Sequence, residues 1–193
     1  MKKHKFLGLT RRISKELLRL YFLDLRNSIL SIKSKLAIEI ALCDRALDLE
    51  NMRPSIIRER LSRGDRIFVA YHRSKPVAYL FTTTTECWVS EIEDNLIIGL
   101  DEIYLYDAYT RAEYRGNRIY SCLITSAAQF FKKLSYSNAL IFATNSNILS
   151  AKGIERSNFY CYQTIHFYNL FGLRSWDYSK RNKLIQSRFS NEI

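Results

Sequence analysis

A chain of 193 residues is long enough for one domain with a sizeable core, and its 47% hydrophobic and 25% charged content excludes an intrinsically disordered polypeptide. No apolar run reaches the roughly 18–20 residues needed to cross a bilayer, and the opening MKKHKFLGLTRR is apolar only from Phe6 to Leu9, too short for a secretory leader. The net charge of +11 sits at the ends: residues 1–35 hold 10 Lys/Arg against 2 acids, residues 36–171 hold 15 against 15, and residues 172–193 hold 5 against 2.

The neutral middle argues against a specific nucleic-acid binder. Four cysteines (Cys43, Cys87, Cys122, Cys161) lie far apart without paired metal spacing, and His4, His72 and His166 cluster with none of them. The expectation is reduced, buried thiols in a cytoplasmic protein that holds no metal.

In chain order, residues 11–27 place Ile13, Leu17, Tyr21 and Leu18, Phe22, Leu25 at helical spacing, with Thr10 as N-cap. The wide apolar stripe fits docking on the domain, and the basic face fits an anionic membrane surface. Residues 36–42 read as a first strand, residues from 44 as a short helix, and residues 55–63 as a helix opened by Pro54 and ended by Gly64. Strands follow at 67–71 and 77–85, then a polar stretch over 86–95. Residues 102–110, aromatic and branched, form the most convincing strand. A helix over 121–134, a wholly apolar strand over 140–144, a helix over 148–156 capped by Ser146 or Asn147, and one or two strands over 159–171 complete the order. This series predicts an α/β (α+β) domain with a mixed sheet.

The informative unit is strand 102–110, the turn Arg115-Gly116-Asn117-Arg118-Ile119-Tyr120, and the helix after it. Unpaired N–H groups and the helix dipole make such a helix mouth an anion site, and Arg115 and Arg118 add charge. By itself the turn fits either a pyrophosphate cradle or an ordinary strand-to-helix connection with surface arginines.

The stretch Glu113-Tyr114-Arg115-Gly116-Asn117-Arg118-Ile119 resembles the Arg/Gln-x-x-Gly-x-Gly/Ala signature of the GNAT superfamily, with Arg118 in place of the second glycine and Tyr120 in place of the last small residue. A second match follows at the expected distance. Asn147-Ile-Leu-Ser150 is similar to the family's Asn-x-x-Ala/Ser, and Asn158-Phe159 stands where Gly-Phe is usual; asparagine tolerates the left-handed conformation that glycine supplies there.

The resemblance spans about residues 36–171. It implies a mostly antiparallel sheet of six to seven strands flanked by helices, to which the N-terminal helix read from the apolar spacing is an extra element. The domain plan is then a basic helical extension over 1–35, an acyltransferase domain over 36–171 and a basic tail over 172–193. The implied activity is acyl transfer from acetyl-CoA, or another acyl-CoA, to the primary amine of a small molecule by direct attack on the thioester. The implied donor contacts are the backbones of Ala108, Tyr109 and Thr110 for the pantetheine arm. Arg115, Gly116, Asn117, Arg118, Ile119, Tyr120 and Ser121 would hold the pyrophosphate, with Asn147 beside the arm or the thioester. Acceptor contacts are implied from residues 45–63 and 86–100.

The family's acid position falls on Ile154, and its two base positions fall on Tyr104 and Phe142. Glu102, on the same strand face as Tyr104, is the first candidate for base, and Asp107, on the opposite face, the second. Either carboxylate equally fits a solvated or salt-bridged role. Tyr104, Tyr106, Tyr160 and Tyr162 are candidate acids; His72 and His166 read as packed residues. A homodimer is compatible with the sequence, and any membrane contact would run through residues 1–35. Two other readings stand: a degenerate GNAT-like CoA-binding or interaction module without turnover, and a transferase whose protein acceptor docks on the basic N-terminus.

Overall fold

The computed structural model describes residues 13–192. An eight-stranded, mostly antiparallel sheet forms the centre, and helices α1 (Pro54–Ser62), α2 (Ile119–Lys133) and α3 (Ile148–Arg156) flank it. The strands are β1 (Ile13–Asp24), β2 (Glu39–Cys43), β3 (Arg66–His72), β4 (Lys75–Thr83), β7 (Glu102–Thr110), β8 (Asn138–Thr144), β9 (Tyr160–Leu170) and β10 (Leu173–Tyr178), in the spatial order β10-β9-β1-β8-β7-β4-β3-β2. A small second sheet joins β5 (Cys87–Val89), β6 (Asp94–Ile97) and β11 (Arg188–Phe189) in the order β11-β6-β5. Among the described residues no helix is long and apolar enough to cross a membrane.

The largest departure from the sequence reading is at the N-terminus. Residues 13–24 are a strand, not a helix, and this strand pairs with β8 on one side and β9 on the other. The register shifts between Leu20 and Tyr21. Before the shift Leu18 and Leu20 pack in the cluster with Ile165 and Phe167; after it Tyr21, Leu23 and Leu25 pack in the helix-side cluster with Ile141 and Ile154. A bulge that moves the alternation from one face to the other leaves apolar residues spaced as on a helix. The segment from Ile13 is thus built into the sheet rather than appended to it, and the sheet has eight strands rather than six or seven. Thr10 and the basic residues before Ile13 lie outside the described residues.

Core clusters lie on both faces. On one side α2 contributes Ile119, Leu123, Ile124, Ala127 and Phe131, and α3 contributes Ala151 and Ile154. On the other, the small sheet and the chain's C-terminal segment supply Val89, Ile92, Leu96, Ile185 and Phe189. The residues expected as a basic tail therefore contribute two strands and buried side chains. Of the four thiols only Cys122 is fully buried, and Cys161 is exposed, against the expectation of buried thiols throughout.

Candidate active site

Parallel strands β7 and β8 pair only at Glu102↔Asn138, Ile103↔Ala139 and Tyr104↔Leu140. Beyond Tyr104 they diverge. The backbone of β7 keeps its ladder with β4 on one side and has no strand on the other. The opening is a cleft of about 1170 Å³ whose walls include residues 104–110, residues 141–144 and the first turn of α2. Ala108, Tyr109 and Thr110 all line it, as does Asn147.

At one end of the cleft a 3₁₀ turn, Ala112–Tyr114, leads into α2. Gly116 (φ 79°) and Arg118 (φ 63°) are both left-handed, a conformation that bends the chain sharply into the helix. Asn117 locks the bend: its carboxamide donates to the Tyr114 and Arg115 carbonyls at 3.0 and 3.3 Å. Its own carbonyl accepts from Lys35 N–H and Ser34 Oγ, each at 3.0 Å. The N–H of Cys122 closes onto the Arg118 carbonyl at 3.0 Å. The N–H groups of Ile119, Tyr120 and Ser121 precede that bond and are the orphan donors of the helix mouth. The first turn has no acidic residue and no side-chain cap, so the partial positive charge there is uncompensated.

Tyr120 does not close this mouth. Its ring packs against Gly153 of α3, where an added Cβ would come within 2.7 Å of it, and its hydroxyl is 3.0 Å from Ser150 Oγ. The Ser121 hydroxyl donates to the Gly153 carbonyl at 3.0 Å, so only its backbone N–H is free for a ligand. Arg118 is exposed at the rim with Arg115, Lys152 and Arg156. Arg115 donates to the Thr110 carbonyl at 3.0 Å, with its guanidinium over the Tyr109 ring. Asn147 caps α3, accepting from Ser150 N–H at 3.1 Å. Asn158, past the end of that helix, takes the left-handed conformation expected of it (φ 64°).

The other end of the cleft is polar and held by ion pairs. Ile56, Glu59 and Arg60 of α1, Arg63 just past its end and residues 87–91 line it, within the segments from which acceptor contacts were implied. Asp107 is left-handed (φ 46°) at a bulge where Tyr79↔Tyr109 gives way to Phe81↔Tyr106. The bulge cancels the strict alternation that set Asp107 on the face opposite Tyr104, and both residues line the cleft. Arg60 Nη1 binds Asp107 at 2.6 Å and stacks over Phe81 and Tyr106. Tyr106 donates to Asp65 at 2.6 Å, and Asp65 is paired with Arg63 at 3.0 Å.

Tyr104 is buried, stacked between Tyr106 and Phe142 with ring centroids 5.8 and 6.0 Å away. Burial above all, then the nearby Cys87 and Glu91 charges, holds its phenol well above the ordinary tyrosine range, so it stays protonated.

Glu102, the first candidate for base, is not in the cleft. It is completely buried at the closed end of the strands and accepts from Asn138 Nδ2 (3.1 Å), Gln186 N–H (2.9 Å), Ser187 N–H (2.7 Å) and Ser187 Oγ (2.5 Å). Four donors saturate it, and it binds the C-terminal segment to the sheet instead of facing a substrate. Tyr160 and Tyr162 also lie off the cleft lining.

Burial pushes Tyr79 and Tyr120 up to about 12. A group with a raised folded pKa gives stability that is complete below its unfolded value, near 10, and lost as pH climbs through the folded one. Urea midpoints should therefore be level from pH 8 to 9.5 and fall between pH 10 and 11.5. Midpoints that stay level to pH 11.5 would show that these phenols ionise freely in the fold.

No protein-family model matches the chain, and no curated protein matches it. Solved structures do. The GCN5-related N-acetyltransferase of Sphaerobacter thermophilus aligns at a TM-score of 0.57 with 8% identity, over 83% of this chain and 51% of its own. A GNAT-family acetyltransferase of Colwellia psychrerythraea aligns at 0.54 with 11% identity, over 82% and 57%. The GCN5-related N-acetyltransferase of Kribbella flavida aligns at 0.53 with 11% identity, over 82% and 59%. The chain thus spans between half and three fifths of these solved chains, and at such identities the likeness concerns architecture. The chain has the fold of the GNAT acetyltransferases.

Proposed function

We propose that the chain transfers an acyl group, most simply acetyl, from acyl-CoA to a primary amine of a small molecule. The observation that carries this reading is the splay of β7 from β8 beyond Tyr104, ending at the uncapped mouth of α2. An unpaired strand edge supplies backbone partners for an amide-bearing arm, and the helix mouth supplies N–H donors for a diphosphate. The rim cations Arg115, Arg118, Lys152 and Arg156 suit the same polyanion. The residues present therefore fit acyl-CoA.

Bound acyl-CoA would supply the thioester carbonyl that the amine attacks. Ala108 to Thr110 would align the arm by main-chain bonds, and Gly116 to Ser121 would hold the pyrophosphate. Asn147 would border the arm, and the protonated Tyr104 would donate toward the departing sulfur. A CoA-binding module without turnover is favoured by one observation, the withdrawal of Glu102 from the cleft. Acetyl-CoA consumption in the presence of an amine panel separates the two readings.

Calorimetric titration with acetyl-CoA tests the donor site directly; no binding up to millimolar concentration would reject it. Arg118→Glu should weaken acetyl-CoA at least tenfold while leaving the free protein as stable or slightly more so. A carboxylate at a helix mouth repels a diphosphate but suits the empty dipole. A variant that loses stability and affinity together would count against the cradle.

A further inference from the structure

With Glu102 tied to the C-terminal segment, another group must receive the proton that an incoming ammonium gives up. Three carboxylates line the cleft, Glu59, Glu91 and Asp107. Asp107 is held at 2.6 Å by Arg60, whose guanidinium is itself fixed over two aromatic rings. Glu59 is on the exposed face of α1. Glu91 alone is half-buried and, among the described residues, free of any ion pair; one oxygen accepts from the neighbouring Ser90 hydroxyl at 3.1 Å and the other is uncommitted.

The turn that carries Glu91 is anchored on its far side. Ile92 is fully buried, and its N–H reaches the Val89 carbonyl at 3.3 Å. Its carbonyl accepts the Trp176 indole at 2.8 Å. Glu93 is clamped by Arg174 at 2.6 Å. Asp94 is buried under the Tyr178 hydroxyl and the Asn191 N–H. A turn fixed at three successive residues presents one uncommitted carboxylate to a cleft, and that is how a group is positioned for proton transfer. Trp88, 57% exposed on the same wall, offers an aromatic face to a cation.

We propose that Glu91 is the general base, and that the acceptor is a primary amine entering as its ammonium ion between Glu91 and Trp88. The proposal rests on the acyl-transfer reading above. Glu91 takes one proton from R–NH₃⁺, becoming a neutral carboxylic acid and leaving R–NH₂. The nitrogen lone pair forms the C–N bond at the thioester carbon while the carbonyl pair moves to oxygen. When that pair returns, the C–S bond breaks and its electrons leave on sulfur. The nitrogen's surplus proton passes to the sulfur through the Tyr104 hydroxyl, giving the amide and free thiol. Glu91 releases its proton to solvent.

The test compares wild type with Glu91→Gln at saturating acetyl-CoA, using tyramine and putrescine as acceptors. Between pH 6 and 9 the wild-type kcat/KM should be nearly level, because the ammonium is the form consumed. The variant needs amine already deprotonated in solution, so its kcat/KM should rise about tenfold per pH unit. The deficit should be at least 100-fold at pH 7 and under 10-fold at pH 9, with the acetyl-CoA Kd and thermal midpoint unchanged. Calorimetry without donor should show putrescine weakened at least fivefold. A deficit below fivefold at pH 7, a deficit independent of pH, or one matched by Glu59→Gln overturns the proposal. So does a wild type that binds acetyl-CoA yet acylates no amine. Failure of the wild type to bind acetyl-CoA at all defeats the underlying acyl-transfer reading instead.

Discussion

A chain shortened to begin at residue 36 is expected to show no cooperative unfolding transition by circular dichroism, whereas the full chain shows one. The segment removed includes β1, which hydrogen-bonds to β8 and β9 in the middle of the sheet. Its deletion separates β9 and β10 from the remaining five strands. It also removes Leu18, Leu20, Tyr21, Leu23 and Leu25, each no more than 4% exposed. At roughly 1.5–3 kcal/mol per buried side chain, five of them amount to about 10 kcal/mol, comparable with the whole stability of an ordinary domain. The milder Leu18→Ala in the full chain should cost about 2–5 kcal/mol by urea titration. If the shortened chain instead melted cooperatively near the full-length midpoint, residues 13–24 would be an appendage and the pairing described here wrong.

That expectation inverts what the sequence suggests, and the reason is physical. A strand with one face in the core announces itself by strict alternation, but β1 changes faces at Leu20/Tyr21, and a bulge has no residue signature of its own in a run of leucines and aromatics. The same device hid Asp107, which parity alone assigns to the wrong face. By contrast, β7, α2, β8 and α3 were legible because each has a clean period and a recognisable start. The uncapped helix mouth proposed to hold the diphosphate was legible because Gly116 and the arginines beside it are local features. The acceptor end was not. Glu91 faces the cleft because Trp176 and Arg174, more than 80 residues further on, hold its turn in place. Glu102 looked catalytic because its partners come from residues 138, 186 and 187, and nothing near it in the chain reveals that four donors await it.

Glu102→Gln distinguishes a latch from a base by moving stability rather than chemistry. The native carboxylate accepts four hydrogen bonds in a fully buried site, with no Lys or Arg paired to it among the described residues. An amide keeps one acceptor oxygen and turns an NH₂ group toward donors, so at least one buried N–H or O–H loses its partner. Each orphaned group costs about 1–3 kcal/mol, and an overall loss of about 2–4 kcal/mol follows. The loss should be concentrated in the C-terminal segment. Gly99 shows how closely that segment is seated, since a Cβ there would lie 2.5 Å from Gln186 Cβ and 2.8 Å from Glu102 Oε2. Loosening should expose Lys180, Arg181, Lys183 and Arg188 to trypsin well before the sheet is cut, with the truncated product read by mass spectrometry. Molecules that remain folded should keep their acetyl-CoA affinity, because the proposed diphosphate grip is at the opposite end of β7. Turnover abolished in a variant of native stability and native trypsin resistance would return Glu102 to the chemistry and remove the need for Glu91.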